Sequence, residues 1–221
     1  MSVKILPNGI AVLENDLASR WIEECGDLVH EPTVRAEICP LLHPGDVVVD
    51  AGAFLGGHTR AYLDTVGPTG RVLAFEPNPV SFECLKHNCP QAELNNCGLG
   101  TSERFVTGSD DPNNHGAHSL SYHQDGPMRV ITLDSLKLER LDFFKLDVEG
   151  WEYRAISGAL GTISRCRPIL YVELNRGALA KQGRMPIEIV RLVQGMDYRL
   201  QFLEAKHSLR MEQIDVFFHP L

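Results

Sequence analysis

The chain has 221 residues, 43% of them hydrophobic and 23% charged. That suits one soluble α/β domain, able to bury roughly 70% of its unfolded surface without disulfide or metal. The formal net charge of −8 argues against a general nucleic-acid binder, which needs a basic field. No apolar run approaches the roughly 20 residues of a membrane span, and no signal peptide is visible at the start. Six cysteines lie scattered without a C-x-x-C pair, so free thiols in a reducing cytoplasm are expected rather than a zinc site.

Taken in chain order, residues 1–44 read as an N-terminal helical segment packed on a domain spanning 45–221. Within the segment, Leu17, Trp21 and Ile22 fall at helical spacing, as do Val34, Ile38 and Leu41, which predicts two short helices between Glu14 and Leu42. Pro32 suits the first turn of the second, and Pro44-Gly45 closes it. Alternation follows. Asp46 to Ala51 is a β-branched strand, a glycine turn opens a helix to Val66, and Arg71 to Glu76 is a strand. Val80 to Asn88 is a helix and Ala92 to Cys97 a weaker strand. Such spacing implies a parallel sheet with right-handed crossovers.

The stretch Thr107 to Pro127, rich in Gly, Ser, Asp, Asn and His, reads as a long loop of the kind that often serves as a lid or binding loop. Its flanks, Arg104 to Thr107 and Arg129 to Leu133, suit a small strand pair. Leu141 to Val148 is an apolar strand, Trp151 to Leu160 a helix, Pro168 to Leu174 a strand and Pro186 to Val193 a helix. Tyr198 to Leu203 and Ile214 to His219 form a closing hairpin. The sum is a mostly parallel seven-stranded sheet with an antiparallel C-terminal hairpin and helices on both faces. That pattern suits the Rossmann-like, class I methyltransferase version of the doubly wound sheet better than the usually all-parallel sheet of a dinucleotide dehydrogenase.

The strongest local signal runs from Val47 to Thr59: a buried strand ends in Asp50, and Gly52-Ala53-Phe54-Leu55-Gly56-Gly57 opens a helix bearing His58 and Thr59. Glycines at such a turn let a ligand approach the backbone. An acid there repels a pyrophosphate and attracts the cationic amino-acid end of S-adenosylmethionine. A glycine turn beside a solvated acid is the plainer alternative. Phe75-Glu76-Pro77-Asn78-Pro79 ends the next strand, and an acid about 20 residues past the turn can accept both ribose hydroxyls. Asn96 and the Gly116 to Leu120 stretch, with Ser119, suit an adenine border.

At the reacting end, Lys145, Asp147 and Glu149 share one face of a strand that ends at the sheet's carboxyl rim. Lys145 can pair with Asp147 or Asp50. A hydroxyl acceptor must lose its proton, and Asp147, Glu149, His118 and His58 are the candidate bases. Glu173 and Asn175 reach the same rim, and with Asp147 they make an oxygen-rich trio that can hold magnesium; rim hydrogen bonding is the alternative. Trp151, Tyr122 and His123 offer rings to an acceptor.

With these stretches assembled, the chain resembles the FkbM family of S-adenosylmethionine-dependent methyltransferases. Asp50-Ala51-Gly52-Ala53 and Gly56-Gly57-His58-Thr59 look like its glycine turn. Phe75 to Pro79, Thr132 to Leu136, and Lys145 to Gly150 with Glu152 match its other runs. The family often carries Asn and a small residue where this chain has Phe54 and Leu55. The resemblance implies methyl transfer to a hydroxyl of a small molecule, sugar or glycan, with no nucleic acid or membrane as partner. With it, Asp50, Gly52, Ala53, Phe54, Gly56, His58, Thr59, Glu76, Pro77, Asn78 and Asp147 are expected as cofactor contacts, joined by Asn96 and Ser119 from the adenine border read above. A non-catalytic nucleotide-binding module on the same fold and a nicotinamide-dependent oxidoreductase are the rival readings. The sequence leaves the acceptor and the oligomeric state open.

Overall fold

The computed structural model describes residues 2–29, 31, 33–111, 114–121, 125–203 and 208–221, with the side chains of 109–111 and 114–118 outside the description. Pro32, Tyr122 and His123, singled out above, lie outside the described residues. The chain opens with a short hairpin of β1 (Val3–Ile5) and β2 (Ala11–Leu13). Helix α1 (Leu17–Cys25) follows, started by Asp16, whose carboxylate accepts the Ser19 N–H, and ended by Gly26 at φ 71°. A π-helical turn, Val34–Ile38, runs into a 3₁₀ turn, Cys39–Leu41. The two expected helices are therefore present, and the preceding hairpin is an addition. It is tied down by Asn88, whose side chain accepts from Ala11 N and donates to Ala11 O and Leu55 O.

The central run is β3 (Val47–Ala51), α2 (Gly57–Val66), β4 (Arg71–Phe75), α3 (Pro79–Asn88) and β5 (Glu93–Asn95). Short strands β6 (Gly98–Leu99), β7 (Arg104–Asp111), β8 (Asn114–Ser121) and β9 (Met128–Ile131) come next. The chain then builds β10 (Phe143–Leu146), α4 (Glu152–Ser157), α5 (Leu160–Cys166), β11 (Ile169–Asn175), α6 (Arg176–Lys181), α7 (Pro186–Gln194), β12 (Tyr198–Phe202) and β13 (Gln213–Pro220). The main sheet has seven strands in the order β12-β13-β11-β10-β3-β4-β5. β13 pairs antiparallel with β11 and β12, and the remaining pairs are parallel. The chain leaves β3 toward β4 on one side and returns to β10 on the other. A crevice therefore opens at the carboxyl ends of β3 and β10, the place where open α/β sheets bind ligands.

One expectation is corrected. Most of the stretch 107–127 is a hairpin of β7 and β8 within a four-stranded sheet ordered β6-β9-β7-β8. The expected pairing of its flanks holds, as β7 against β9. Few residues anchor it: Val106, Leu120 and Val130 are buried with Trp151 in a small satellite core, while the polar remainder of the hairpin sends no hydrophobic alternation into the sequence.

Pleating sorts the main sheet. Val47, Val49, Ala51, Phe144 and Leu146 pack with α4, α5 and α7 on one face. Val48, Phe143, Tyr171 and Phe217 pack with α2 and the π-helical turn on the other. Asp50 and Lys145 are register partners on that second face, followed in the same row by Tyr171 and Phe217. A charged pair thus sits inside an apolar layer, which such a layer tolerates only if both charges are satisfied. Among the described residues, no helix is long and apolar enough to cross a membrane.

Candidate active site

The crevice holds a cavity of about 440 Å³, lined from the glycine turn, the ends of β4, β10 and β11, and α1. The turn has its glycines for reasons other than ligand approach. Gly52 has φ 78°, and a Cβ there would lie 1.8 Å from the Asp147 carbonyl oxygen. Gly56 has φ 99°, and its Cβ would meet Cys89 Sγ at 2.7 Å. Phe54 holds φ 49° without being glycine, a left-handed geometry that asparagine tolerates better. The Phe54 N–H donates to Glu76 Oε2 at 2.9 Å, which helps hold the strained residue.

Asp50 is fully buried and does not line the cavity, contrary to its expected contact with a ligand. The Thr59 hydroxyl donates to its Oδ2 at 2.6 Å, and Lys145 Nζ lies 3.2 Å from its Oδ1. Lys145 also donates to the Gly52 carbonyl at 2.7 Å and stands 3.5 Å from Asp147 Oδ2, so it pairs with both expected acids. Burial disfavours its ammonium, but Asp50 and Asp147 outweigh burial and hold the lysine above its ordinary range. Asp50 and Thr59 therefore anchor the floor of the cavity, and Lys145 is the residue that carries charge to its surface.

At the β4 end, Glu76 lines the cavity. Its Oε1 accepts from Asn78 N at 2.8 Å and its Oε2 from Phe54 N, leaving each oxygen lone-pair capacity for a hydroxyl. Burial pushes its carboxyl up to about 7, against the pull of the two N–H groups. Pro77 borders the cavity beside it. Asn78 instead caps α3, accepting from Val80 N. Asn96 is exposed and donates to the Glu76 carbonyl at 2.8 Å. Neither asparagine lines the cavity. Ser119 does not line it either; its hydroxyl donates to the Glu149 carbonyl at 2.9 Å. His58 does line it, with Nδ1 2.9 Å from the Tyr62 hydroxyl and Nε2 3.3 Å from Glu31. His118 lies on β8, and its side chain is outside the described residues.

The third wall is acidic. Oxygens of Asp147, Glu149 and Glu173 all lie within 4.8 Å of one another. β10 stops at Leu146, so strand alternation does not carry Glu149 there; a turn with Glu149 at φ 52° and Gly150 at φ 93° does. Glu152 fixes that turn. It is buried, and its Oε1 accepts from both Val148 N (3.1 Å) and Gly150 N (3.0 Å). Burial pushes Glu149 up to about 7, with Asp147 adding to the shift and Lys181 and Lys145 opposing it. Burial, then Asp147 and Asp215, push Glu173 well up. Burial also raises Glu152, to about 8. Asn175, expected beside Asp147 and Glu173, also lines the cavity, while its amide oxygen accepts from Ala178 N and caps α6; Glu149 joins the two acids. Trp151 is only 1% exposed, packed beneath Leu120 and Val130, and presents no open ring. Trp21, which falls at helical spacing with Ile22, is 49% exposed at the cavity.

The methyltransferase FkbM domain model matches residues 50–200. The chain belongs to the FkbM methyltransferase family. Membership implies S-adenosylmethionine as the methyl donor. Among solved structures, a methyltransferase FkbM from Methylobacillus flagellatus KT is similar at 18% identity and TM-score 0.54, over 80% of this chain and 44% of its own. This chain thus spans less than half the length of that protein. A TehB-like SAM-dependent methyltransferase from Corynebacterium glutamicum matches at 15% identity and TM-score 0.54, over 92% of this chain and 96% of its own. A putative rRNA-methylase from Clostridium thermocellum matches at 15% identity and TM-score 0.51, over 84% and 94%. At these identities the likeness shows the fold alone. No curated protein matches the chain.

The residues present fit the donor. Glu76 offers acceptors for a ribose diol beside Pro77, and the wall formed by Asp147, Glu149 and Glu173 offers negative charge to a sulfonium. A nicotinamide dinucleotide fits less well, since its pyrophosphate would face a cavity with five carboxylates and one lysine.

Proposed function

We propose that this chain is an O-methyltransferase acting on a hydroxyl of a small molecule, sugar or glycan. The observation that supports this most directly is the convergence of Asp147, Glu149 and Glu173 at the rim where β10 and β11 end. When bound, S-adenosylmethionine supplies an electrophilic methyl, which the acceptor oxygen takes as the S–C bond breaks and its electron pair stays on sulfur in S-adenosylhomocysteine. The chain's own residues align the acceptor and handle its proton. Glu149 is the base: its carboxyl is poised near neutrality, where proton acceptance is most effective, and its backbone is pinned from both sides by Glu152 and Ser119. Asp147 stands beside it, with Lys145 Nζ 3.5 Å from its Oδ2. Glu76 anchors the donor's ribose, and Pro77 and Leu120 supply an apolar border for its base.

The test is transfer of a radiolabelled methyl group to a panel of hydroxyl compounds by wild type and by Glu149→Gln. Labelled ether product from wild type alone, with equal donor binding by both proteins, is the expected result. Donor binding with full transfer by the variant would remove Glu149 from the role. Donor binding without transfer to any hydroxyl class would favour the non-catalytic reading.

A further inference from the structure

The charge lining the cavity is one-sided. Glu31, Glu76, Asp147, Glu149 and Glu173 face it among the described residues, against Lys145 alone. That lysine is committed to Asp50, Asp147 and the Gly52 carbonyl. The His58 nitrogens face Tyr62 and Glu31. Just outside the lining, Lys181 acts on Glu149, Asp215 and Glu152 act on Glu173, and Asp50 acts on Glu76, so the nearby groups add more acids than bases. S-adenosylmethionine has one net positive charge, from a sulfonium, an ammonium and a carboxylate. Glu76 stands at the β4 end of the cavity and the clustered acids at the β10 and β11 end. The donor's single charge therefore leaves most of the cluster uncompensated.

Clustered carboxylates in a half-buried wall must gain protons or a cation. The raised positions of Glu149 and Glu173 follow the first course. The second course is open to an acceptor. Helix α1 lines the same cavity with Ala18, Ile22 and the half-exposed Trp21 ring, a surface for a carbon frame or for a cation over its face.

We infer that the acceptor bears an ammonium group close to the hydroxyl it presents, seated against Asp147, Glu149 and Glu173, and that phosphorylated or carboxylated acceptors are rejected. Charge complementarity of this kind selects partners by repelling the wrong ones. The inference rests on the methyl-transfer reading above and adds the acceptor's charge to it.

The experiment is calorimetric, on the full chain saturated with S-adenosylhomocysteine. Glucosamine, glucose and glucuronate are titrated in parallel, with magnesium chloride alone as a fourth arm. Glucosamine binding at least about 10-fold tighter than glucose, with no heat from glucuronate, is the expected result. Glu173→Gln, which removes a charge and leaves Glu149 in place, should bring glucosamine and glucose within about 3-fold of each other. Glucosamine binding no tighter than glucose, or glucuronate binding as well as glucosamine, overturns the inference. So does magnesium that binds the three carboxylates and displaces glucosamine, since the missing charge would then be a metal's. S-adenosylhomocysteine binding is measured first: its absence overturns the methyl-transfer reading along with this one, whereas its presence with the wrong acceptor order overturns this one alone.

Discussion

Replacing Lys145 with methionine keeps the unbranched stem, one atom shorter, and deletes the cation that faces Asp50 across β3 and β10. Both partners are essentially inaccessible, at 2% and 0% side-chain exposure, with Nζ 3.2 Å from Oδ1. Asp50 would keep the Thr59 hydroxyl on Oδ2, but Oδ1 receives no other partner among the described residues. Breaking a buried pair from one side typically costs about 3–5 kcal/mol, because an uncompensated charge is left inside. For a chain of this size each kcal/mol moves the midpoint by roughly 2–4 °C, so Lys145→Met should lower Tm by about 6–20 °C. The assay is chemical and thermal denaturation of wild type, Lys145→Met, Asp50→Asn and the double variant. The double variant should recover at least about half of the single's loss, because the stranded carboxylate is gone. A Lys145→Met loss below about 1 kcal/mol, or a double variant with additive losses, would refute the reasoning that the pair is the electrostatic keystone of the cavity floor.

Further outcomes follow from the same geometry. Glu149→Gln should lower kcat by about 10²- to 10⁴-fold while donor affinity, measured by calorimetry, stays within about 3-fold. Glu152→Gln retains an acceptor oxygen for Val148 N and Gly150 N and should keep most of the turnover, whereas Glu152→Ala releases the turn and should lower kcat more than it raises KM for the donor. The folded chain holds protons on Glu152, Glu76 and Glu149 up to about 8, 7 and 7, against an ordinary value of 4.5. Groups raised in this way favour the folded state below their unfolded pKa and lose that contribution as pH rises through the folded one. Stability measured by urea denaturation should therefore fall between about pH 5 and 8, by on the order of a few kcal/mol. Glu152→Gln should flatten that decline, and a stability that rises across the window would contradict the burial of these acids.

The parts of the fold legible in the sequence are those where one physical signal dominates. Val47, Val48 and Val49 are buried on both faces and read directly as an inner parallel strand. The position of Glu76 at the strand's end is legible because the prolines that follow it stop the strand. The β7–β8 hairpin is hidden in the sequence because its Gly, Ser, Asp and Asn residues carry turn propensity; among its described side chains, Val106 and Leu120 report the buried face. Asp50 was read as facing a ligand because it ends a strand. Period-2 pleating puts it instead with Val48 on the α2 face, over Thr59. Glu149 reached the expected wall by a positive-φ turn rather than by alternation, and no single-residue pattern distinguishes those routes. Trp21 shows the same limit. Helical spacing groups it with Ile22, yet Ile22 is 1% exposed and Trp21 49%. Which neighbour faces inward depends on the hairpin and α3 packed beneath, and helical periodicity is blind to both.

The central claim is that this cavity binds S-adenosylmethionine with Glu76 on its ribose. Calorimetric titration of wild type and Glu76→Ala with S-adenosylmethionine, and of wild type with NADPH, tests it most directly. The account predicts binding of the first ligand, none of the second, and a Kd raised about 10- to 100-fold in the variant, the equivalent of losing one or two hydrogen bonds to a charged group. Unchanged affinity in a folded Glu76→Ala protein, or binding of NADPH alone, would contradict it.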